Sequence, residues 1–329
     1  MGEDLAVLQA EFPAFRIWQE QMPGRIRYVA RSRDEGVNPH TVITADIDEL
    51  REALQPALAG GGGTAIRFSA EPNIARMYSY WLSQKDHYLA DRAAANKVLD
   101  QFPEVAEIAR ANRAFMTRAV RYLAEQGITQ FIDIGSGFPV HPNVHETARE
   151  VAPDAPVVYV DRDPVVLAHA RALLAVDDKI GVVAGDLRNT ASLLTRIQLS
   201  GVIDSIVPTG VLLLSVLHFL TATEADAAVA TLREWIAPGS YLVISTGTST
   251  GTDPELIRLL QDAYGDTTPV TGRTEAQIAA WFDGLTLADP GLVDVWAWRP
   301  GTWRRPATAQ ARFLAGVGYK DPDMPRWSP

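Results

Sequence analysis

The sequence predicts an α/β fold in which a mostly parallel sheet is covered by helices on both faces. Short, nearly all-apolar segments follow one another after residue 130, separated by stretches of helical character: Phe131–Ile134, Val157–Val160, Ile180–Ala184, Val211–Leu214 and Tyr241–Ser245. Strands that are apolar at nearly every position are buried on both faces, and helices between them are typical of parallel neighbours. The 47% hydrophobic content is sufficient for such a core.

A separate small unit is expected ahead of this sheet. Apolar and β-branched residues at Phe15–Trp18, Arg25–Arg31 and His40–Ala45 favour three strands. A helix is expected from Asp46 to Ala59, because acidic residues cluster at its start, where they interact favourably with the helix dipole.

The boundary between the two parts is placed at Gly60–Gly63, a run of four glycines. Glycine has more backbone freedom than any other residue, so such a run is typical of a linker. We therefore expect a small α+β N-terminal unit with its linker over residues 1–63, and a larger domain over residues 64–329.

Helices are expected on either side of the five strands. The first has an apolar face formed by residues at spacings of three and four: Ile74, Met77, Tyr78, Trp81 and Leu82. The second is predicted from Pro103 to Gln126, with Gly127 just past its end. After the fifth strand, the pattern favours one helix at Glu275–Phe282, a final strand around Leu292–Trp298 and a proline-rich, irregular end.

The loop after the first central strand carries the first candidate binding residues. It contains Asp133, Gly135 and Gly137, and its two glycines allow the backbone to turn tightly and approach a ligand closely. A dinucleotide-binding loop would have a third glycine at position 140, where this chain has Val140. The same pattern occurs by chance in many α/β turns, so an ordinary turn is the alternative.

The next two strand ends each carry an acidic residue. Asp161 closes the second strand, where a carboxylate can accept hydrogen bonds from both hydroxyls of a ribose. The alternative is a helix cap, a role that suits Asp163 before Pro164. Asp186 follows the third strand, where its carboxylate can accept the amino proton of an adenine while Leu187 packs beside the ring; the alternative is a turn aspartate. Together, the three strand ends are far more specific than any one of them.

Ser215 and His218 follow the fourth strand, a position where ligands meet in folds of this kind. Ser215 is a candidate binding residue. His218 is a candidate general base because imidazole titrates near neutral pH, and a histidine that lines the pocket or fills the core is the alternative. His141 and His145 flank a loop asparagine but lack a third ligand at a convincing spacing, so no metal site is expected.

An ordered series of short blocks runs through the larger domain: Ala75–Tyr80, Lys85–Asp86, Ala90–Arg92, Ala111–Phe115, Asp133–Gly135, Asn143–Glu146, Val158–Asp161, Val216–Phe219, Ala237–Leu242, Asp289–Leu292 and Trp298–Pro300. These blocks resemble the signature of a bacterial S-adenosyl-L-methionine-dependent methyltransferase family whose substrates are largely unassigned. The resemblance extends over about residues 68–320. It implies a class I, Rossmann-like methyltransferase sheet of seven strands, with the last strand inserted antiparallel.

With this resemblance, S-adenosyl-L-methionine is the expected cofactor, and its expected binding residues are Asp133, Gly135, Gly137, Asp161, Asp186, Leu187 and Ser215. Asp133 is expected to face the amino-acid end of the cofactor. The segment Ile74–Arg92 is expected to cover the cofactor, because it has more polar groups than a structural amphipathic helix requires; a solvated charged face is the alternative. The candidates for substrate or cover contacts are Tyr78, Lys85, Asp86 and Arg113, and Tyr80 and Arg92 are further polar groups of the segment.

The chain departs from the family pattern in two segments. Ser83 and Gln84 replace two glycines that usually precede the Lys-Asp pair, and His87 replaces an asparagine. The segment Thr246–Thr250 lacks the His-Ala start that usually follows the fifth strand. Both segments are expected to border the methyl acceptor.

The expected function is methyl transfer to an oxygen, nitrogen or carbon atom of a small molecule. The alternative is a protein that binds S-adenosylmethionine in a non-methylating, regulatory or scaffold role. A nicotinamide-dependent dehydrogenase is disfavoured by the missing third glycine of the binding loop.

Composition limits the partners. The formal net charge of −10 disfavours nucleic acid, whose phosphates need clustered cations, and the absence of cysteine excludes disulfides and thiolate metal sites. The sequence shows neither a signal-peptide pattern nor an apolar run of bilayer length. We therefore expect a cytoplasmic location and no membrane partner, and a homodimer is compatible with the sequence.

Overall fold

The computed structural model describes residues 2–22, 25–33, 41–44, 46–48, 50–51, 54, 72–85, 87–264, 270–301, 305 and 311–322. The first part consists of helix α1 (Gly2–Glu11) and strands β1 (Phe15–Met22), β2 (Arg25–Ser32) and β3 (Thr41–Thr44). The strands form an antiparallel sheet in the order β1-β2-β3. The three predicted N-terminal strands are therefore confirmed.

The N-terminal unit has a small apolar core of its own. Leu8 of α1 and Phe12, just after it, pack with Phe15 of β1, and with Leu50 and Leu54 from the segment predicted as a helix. The described residues between positions 47 and 54 are helical, as predicted. The remainder of that predicted helix and the glycine run at 60–63 lie outside the described residues.

The larger sheet contains β4 (Phe131–Ile134), β5 (Val157–Asp161), β6 (Ile180–Ala184), β7 (Gly210–Leu214), β8 (Tyr241–Thr248), β9 (Thr286–Leu287), β10 (Val293–Asp294) and β11 (Arg312–Tyr319). Its order is β10-β11-β8-β7-β4-β5-β6, and β9 also pairs with β11. Strands β4 to β8 are parallel, whereas β11 is antiparallel to β8. The predicted fold class is confirmed, with seven strands along the main path and β9 as an eighth.

Helices cover both faces of this sheet: α2 (Ile74–Trp81), α3 (Leu89–Gln101), α4 (Val105–Glu125), α5 (Val144–Arg149), α6 (Pro164–Leu173), α7 (Thr190–Leu199), α8 (Ala222–Trp235), α9 (Pro254–Tyr264) and α10 (Glu275–Ala280). Successive strand residues face opposite sides. In β7, Leu212 belongs to one apolar core, and Val211 and Leu213 belong to the other. Burial on both faces explains the near-continuous apolar segments. Within the described ranges, no helix has the length and apolar character needed to cross a membrane.

The end of the chain differs from the sequence-based expectation. The strand predicted around Leu292–Trp298 is reduced to the two residues of β10, and the long antiparallel strand is β11, in a stretch expected to be irregular. Glycines weaken the strand pattern of β11, but they are required by packing: a Cβ added at Gly316 would lie 2.8 Å from Phe282. Helix α9 was also missed, although its Leu256 and Leu260 share one face at a spacing of four.

The segment expected to cover the cofactor is two helices instead of one. Helix α2 ends at Trp81 and α3 begins at Leu89. Ser83, in the turn between them, has a φ of 60°, a left-handed conformation that glycine adopts most readily. The family that the sequence resembles usually has glycine here, and the left-handed backbone conformation explains this preference.

A buried ionic cluster ties these two helices to the end of β5. The Arg76 guanidinium donates to the Asp91 carboxylate at 2.8 Å, and both side chains are at most 2% exposed. Asp163, which caps α6, lies 3.9 Å from Arg76 and accepts a 2.6 Å hydrogen bond from the Asn73 amide. Because buried charges need close partners, this cluster fixes α2 and α3 relative to the sheet edge.

We expect Arg76→Met to lower the free energy of unfolding by about 3–5 kcal/mol, because it leaves two buried carboxylates without their cation. Urea denaturation followed by circular dichroism measures this change. Arg258→Met is the matched control, since Arg258 pairs with Glu255 on the exposed face of α9 and exposed pairs add little stability. A wild-type denaturation midpoint for Arg76→Met would contradict the role of the cluster.

Candidate active site

A cleft of about 460 Å³ opens at the carboxyl-terminal edge of the parallel strands. The ends of β4, β5 and β6 form one side of it, with the acidic and glycine residues predicted from the sequence. Helices α2, α4 and α9, the turn after β7 and the start of β11 form the other side. The strand order places the change of winding direction between β4 and β7, where ligands bind in such sheets.

The glycine loop is held tightly against the sheet. Gly135 has a φ of 74°, and a Cβ added there would lie 2.8 Å from the Val216 side chain. Gly137 has a φ of 64°, and a Cβ added there would meet nothing within 4 Å. Arg113 holds the far end of the loop through hydrogen bonds to the carbonyls of Val140 and Pro142. The loop therefore has a fixed conformation and leaves open space beside Gly137.

Asp133 supplies a buried carboxylate to the cleft. It is 6% exposed, and its carboxylate has no hydrogen-bond partner among the described residues. Burial raises its pKa to about 7, while Arg113 acts to lower the pKa and Asp161 acts to raise it. A buried acid without a partner favours a cationic ligand, which would stabilise its ionised form.

Asp161 joins two of the strand-end loops. One carboxylate oxygen accepts the backbone N–H of Gly137 at 2.9 Å, and the other accepts the backbone N–H of Asp163 at 3.0 Å. Burial raises the pKa of Asp161, and these backbone hydrogen bonds act to lower it. A carboxylate oxygen can accept two hydrogen bonds, so each oxygen retains capacity for a ligand hydroxyl.

Asp186 and Leu187 border the cleft after β6. The Asp186 carboxylate accepts the backbone N–H of Arg188 at 3.0 Å and also pairs with the Arg188 guanidinium. This guanidinium is the main reason why the pKa of Asp186 is lowered. The carboxylate is thus engaged locally, as in the turn-aspartate alternative, whereas Leu187 is buried and presents an apolar surface to the cleft.

Ser215 and His218 border the cleft after β7. Ser215 has a φ of 58°, and its backbone N–H donates to the Ser245 carbonyl at 2.9 Å. Burial, with a smaller effect of Arg273, lowers the pKa of His218 to about 3. An imidazole with so low a pKa is a weak proton acceptor, which favours the pocket-lining alternative for His218 over the candidate general base. Among the described residues, no group of three or more potential metal ligands occurs.

Of the cover candidates, Tyr78 and Arg113 line the cleft. The Tyr78 hydroxyl donates to the Ala109 carbonyl at 3.0 Å and accepts a hydrogen bond from the Asn112 amide at 3.1 Å. Asn112 in turn accepts a 2.6 Å hydrogen bond from the Ser245 hydroxyl. These bonds connect α2, α4 and β8 across the cleft, and nothing in the sequence pattern indicated Asn112 as part of the network.

The other cover candidates that the structure describes, Lys85, Tyr80 and Arg92, do not line the cleft. Lys85 is exposed. The Tyr80 hydroxyl donates to Asn96, and Arg92 contacts His87, so both are engaged outside the cleft. Asp86 lies outside the described residues. The solvated-face alternative therefore describes the second half of the segment better than the predicted cover.

Arg273 is a site residue that sequence reasoning missed. Its side chain is 2% exposed, and its guanidinium donates to the carbonyls of Leu217, Leu220 and Thr221 at 2.8–3.0 Å. It thereby holds the short turn that carries His218. An arginine in an apparent loop has no distinguishing sequence signal, because its partners are backbone carbonyls distant in the chain.

Comparisons with known proteins agree with this geometry. The family model of the S-adenosyl methyltransferases matches residues 65–321. A crystal structure of a candidate methyltransferase from Thermobifida fusca is 38% identical, with a TM-score of 0.71, and the match covers 77% of this chain and 96% of that one. A DUF574 family protein from Streptomyces avermitilis is 35% identical, with a TM-score of 0.72 and coverage of 77% and 98%. No curated protein matches the chain.

The match spans more than half of the chain and includes every strand of the larger sheet. The two similar structures are covered almost to their full length. The chain therefore belongs to the S-adenosyl methyltransferase family.

Proposed function

We propose that this S-adenosylmethionine-dependent methyltransferase methylates a small organic molecule held in the cleft. The observation that carries the proposal is the enclosure of the cleft between the strand ends and helices α2, α4 and α9. Its volume of about 460 Å³ lies within the range typical of small-molecule sites. No nucleic-acid or peptide acceptor is needed to fill such a space.

The residues of the cleft fit the cofactor. The Asp133 carboxylate would hold the cofactor's ammonium group, and the space beside Gly137 leaves room for the ligand's close approach. Asp161 would accept the ribose hydroxyls beside the backbone hydrogen bonds that it accepts from Gly137 and Asp163. Leu187 would pack beside the adenine, and Asp186 would mainly hold the turn through Arg188. Ser215, which lines the cleft after β7, would border the cofactor.

When bound, the cofactor supplies an electrophilic methyl group. The protein's contribution is mainly positioning, because orientation alone can lower a bimolecular barrier by several kcal/mol, ~7 or more in favourable cases. The Ser245–Asn112–Tyr78 network fixes the wall opposite the glycine loop. Arg273 fixes the turn at His218. Both arrangements orient the acceptor without requiring a side-chain base.

We also propose that residues 1–63 form a module that is dispensable for cofactor binding. Strand β3 contacts α6 on the outside of the larger sheet. The family match begins only at residue 65, and the two similar chains are covered almost completely by 77% of this chain. Related proteins thus have the larger domain without needing this unit.

We expect Asp161→Ala to weaken binding of S-adenosylmethionine by about 2–4 kcal/mol, because it removes the half-buried carboxylate proposed to accept two hydroxyls. Isothermal titration calorimetry measures the affinity. Asp178→Ala is the control, since Asp178 is exposed and outside the cleft. An affinity of Asp161→Ala within about threefold of wild type would remove the ribose assignment.

We expect the affinity of the wild type for S-adenosylhomocysteine to rise about tenfold from pH 6 to pH 8 relative to that of Asp133→Asn. The pKa of Asp133 is about 7 in the free protein, so its ionised fraction rises from about a tenth to about nine tenths over this range. The ammonium group binds the ionised form. Calorimetry at several pH values provides both curves, and identical pH dependence in the two proteins would exclude Asp133 as the ammonium ligand.

Whereas ionisation of Asp133 should strengthen ligand binding as pH rises, it should lower the stability of the free protein. A carboxyl whose pKa is raised on folding stabilises the fold at low pH, and this contribution is lost as pH rises from the ordinary value of 3.8 towards about 7. The Asp133→Asn variant has no carboxyl at this position, so it does not lose stability in this way as pH rises. Its denaturation midpoint should therefore exceed that of the wild type at pH 8 by more than at pH 5.

We expect a chain beginning at Gly62 to bind S-adenosylhomocysteine with an affinity within about threefold of the full chain. Circular dichroism establishes whether this shortened chain is folded, and calorimetry gives its affinity. A folded chain that has lost cofactor binding would place residues 1–63 in the pocket and contradict the modular division.

A further inference from the structure

The cleft contains an unbroken series of aromatic rings, which we call the aromatic arc: Trp81, Tyr264, Phe219, His218 and Phe313. The centroids of Trp81 and Tyr264 are 6.5 Å apart and those of Tyr264 and Phe219 are 5.4 Å apart, both in edge-to-face geometry. His218 lies 4.1 Å from Phe219, and it lies 6.0 Å from Phe313. All five residues line the cleft.

The arc occupies a different half of the cleft from the cofactor residues. Its members come from α2, α9, the turn after β7 and the start of β11, whereas the cofactor residues come mainly from the ends of β4, β5 and β6. Strands β7, β8 and β11 lie on one side of β4, and β5 and β6 lie on the other. The arc is therefore placed where an acceptor would meet the methyl group.

Charged groups are distributed unevenly between the two halves. The described lining contains no glutamate and no lysine, and its aspartates all lie at or just after the ends of β4, β5 and β6. Near the arc, Arg312 lines the cleft but pairs with Glu275 at 2.7 Å. The polar groups of Tyr78 and Asn112 bond to each other. Arg113 also lines the cleft, but its guanidinium donates to the carbonyls of Val140 and Pro142. Because both guanidiniums are already engaged, an anion bound against the arc would lose its hydration with little compensation.

The arc also lacks a side chain that could remove a proton at neutral pH. Burial lowers the pKa of His218 to about 3. Burial raises the pKa of both Tyr78 and Tyr264, so neither phenol ionises near neutrality. An acceptor suited to this half must already present a lone pair without help from these groups.

We propose that the aromatic arc binds an uncharged, planar aromatic acceptor, whose ring packs against the arc and whose heteroatom already carries an available lone pair. This lone pair would bond to the methyl carbon as the carbon–sulfur bond breaks, and any proton on the heteroatom would pass to solvent. This assignment rests on the proposed methyl transfer in the cleft and specifies the class of its acceptor. Aromatic rings in offset or edge-to-face contact gain energy beyond the area they bury. The same surface rejects an anion of equal size, because the anion's desolvation is uncompensated.

The test uses 2-naphthol and 2-naphthoate, two rings of equal size of which only the second is charged at pH 7. The full-length protein is first saturated with S-adenosylhomocysteine, and each probe is then titrated by calorimetry. We expect 2-naphthol to bind at least about tenfold more tightly than 2-naphthoate. Equal affinities, tighter binding of 2-naphthoate, or no binding of 2-naphthol up to its solubility limit would overturn the proposal.

Substitutions locate the binding site of the probe. Tyr264→Leu and Phe219→Leu should each weaken 2-naphthol binding by about fivefold, since each removes ring contacts but keeps an apolar side chain. Tyr80→Leu is the matched control: Tyr80 lies on α2, donates to Asn96 and does not line the cleft. Wild-type affinity in both arc variants, with circular dichroism showing that they are folded, would place the probe elsewhere and contradict the assignment.

The first titration separates two kinds of failure. If S-adenosylhomocysteine itself does not bind, the proposed function of the cleft is wrong, and the acceptor assignment falls with it. If S-adenosylhomocysteine binds but 2-naphthol binds no more tightly than 2-naphthoate, only the assignment of the aromatic arc is wrong.

Discussion

The Asp161 carboxylate is the interaction on which the arrangement of the cleft depends. It accepts backbone N–H groups from the loops after β4 and β5, and so fixes both loops at one edge of the sheet. The second of these loops contains Asp163, which caps α6 and holds Asn73 at the start of α2. Through Arg76, the same contacts reach the buried Asp91 of α3. A continuous polar network therefore runs from the sheet edge to the helices that close the cleft.

This network has an energetic cost that a ligand can offset. Burial raises the pKa of both Asp133 and Asp161, which means that their ionised forms are destabilised in the free protein. A ligand with an ammonium group and two vicinal hydroxyls supplies the missing partners. The apolar half of the cleft has no buried carboxylate, and its Tyr78, Asn112 and Ser245 side chains bond to one another. The two halves are thus suited to ligands of different chemistry.

The sequence predicted the sheet well and the walls of the cleft poorly. Strands β4 to β8 were predicted because burial on both faces leaves an apolar signal in the local sequence. Strand β11 was missed because Gly316 and Gly318 make room for neighbouring side chains, which is a tertiary requirement. Asn112 and Arg273 bond to partners far away in the chain. Lys85 was expected in the cleft, but it follows the left-handed turn at Ser83, outside the lining.

The most direct measurement is a crystal structure of the protein with bound S-adenosylhomocysteine. We expect both ribose hydroxyls to lie about 3 Å or less from the Asp161 carboxylate, and the ligand's ammonium group to lie about 3 Å from Asp133. We also expect the half of the cleft lined by the aromatic arc to stay free of the cofactor. An adenosine moiety packed against Trp81 and Tyr264, with Asp161 bonded only to its backbone donors, would contradict the assignment of Asp161 to the ribose.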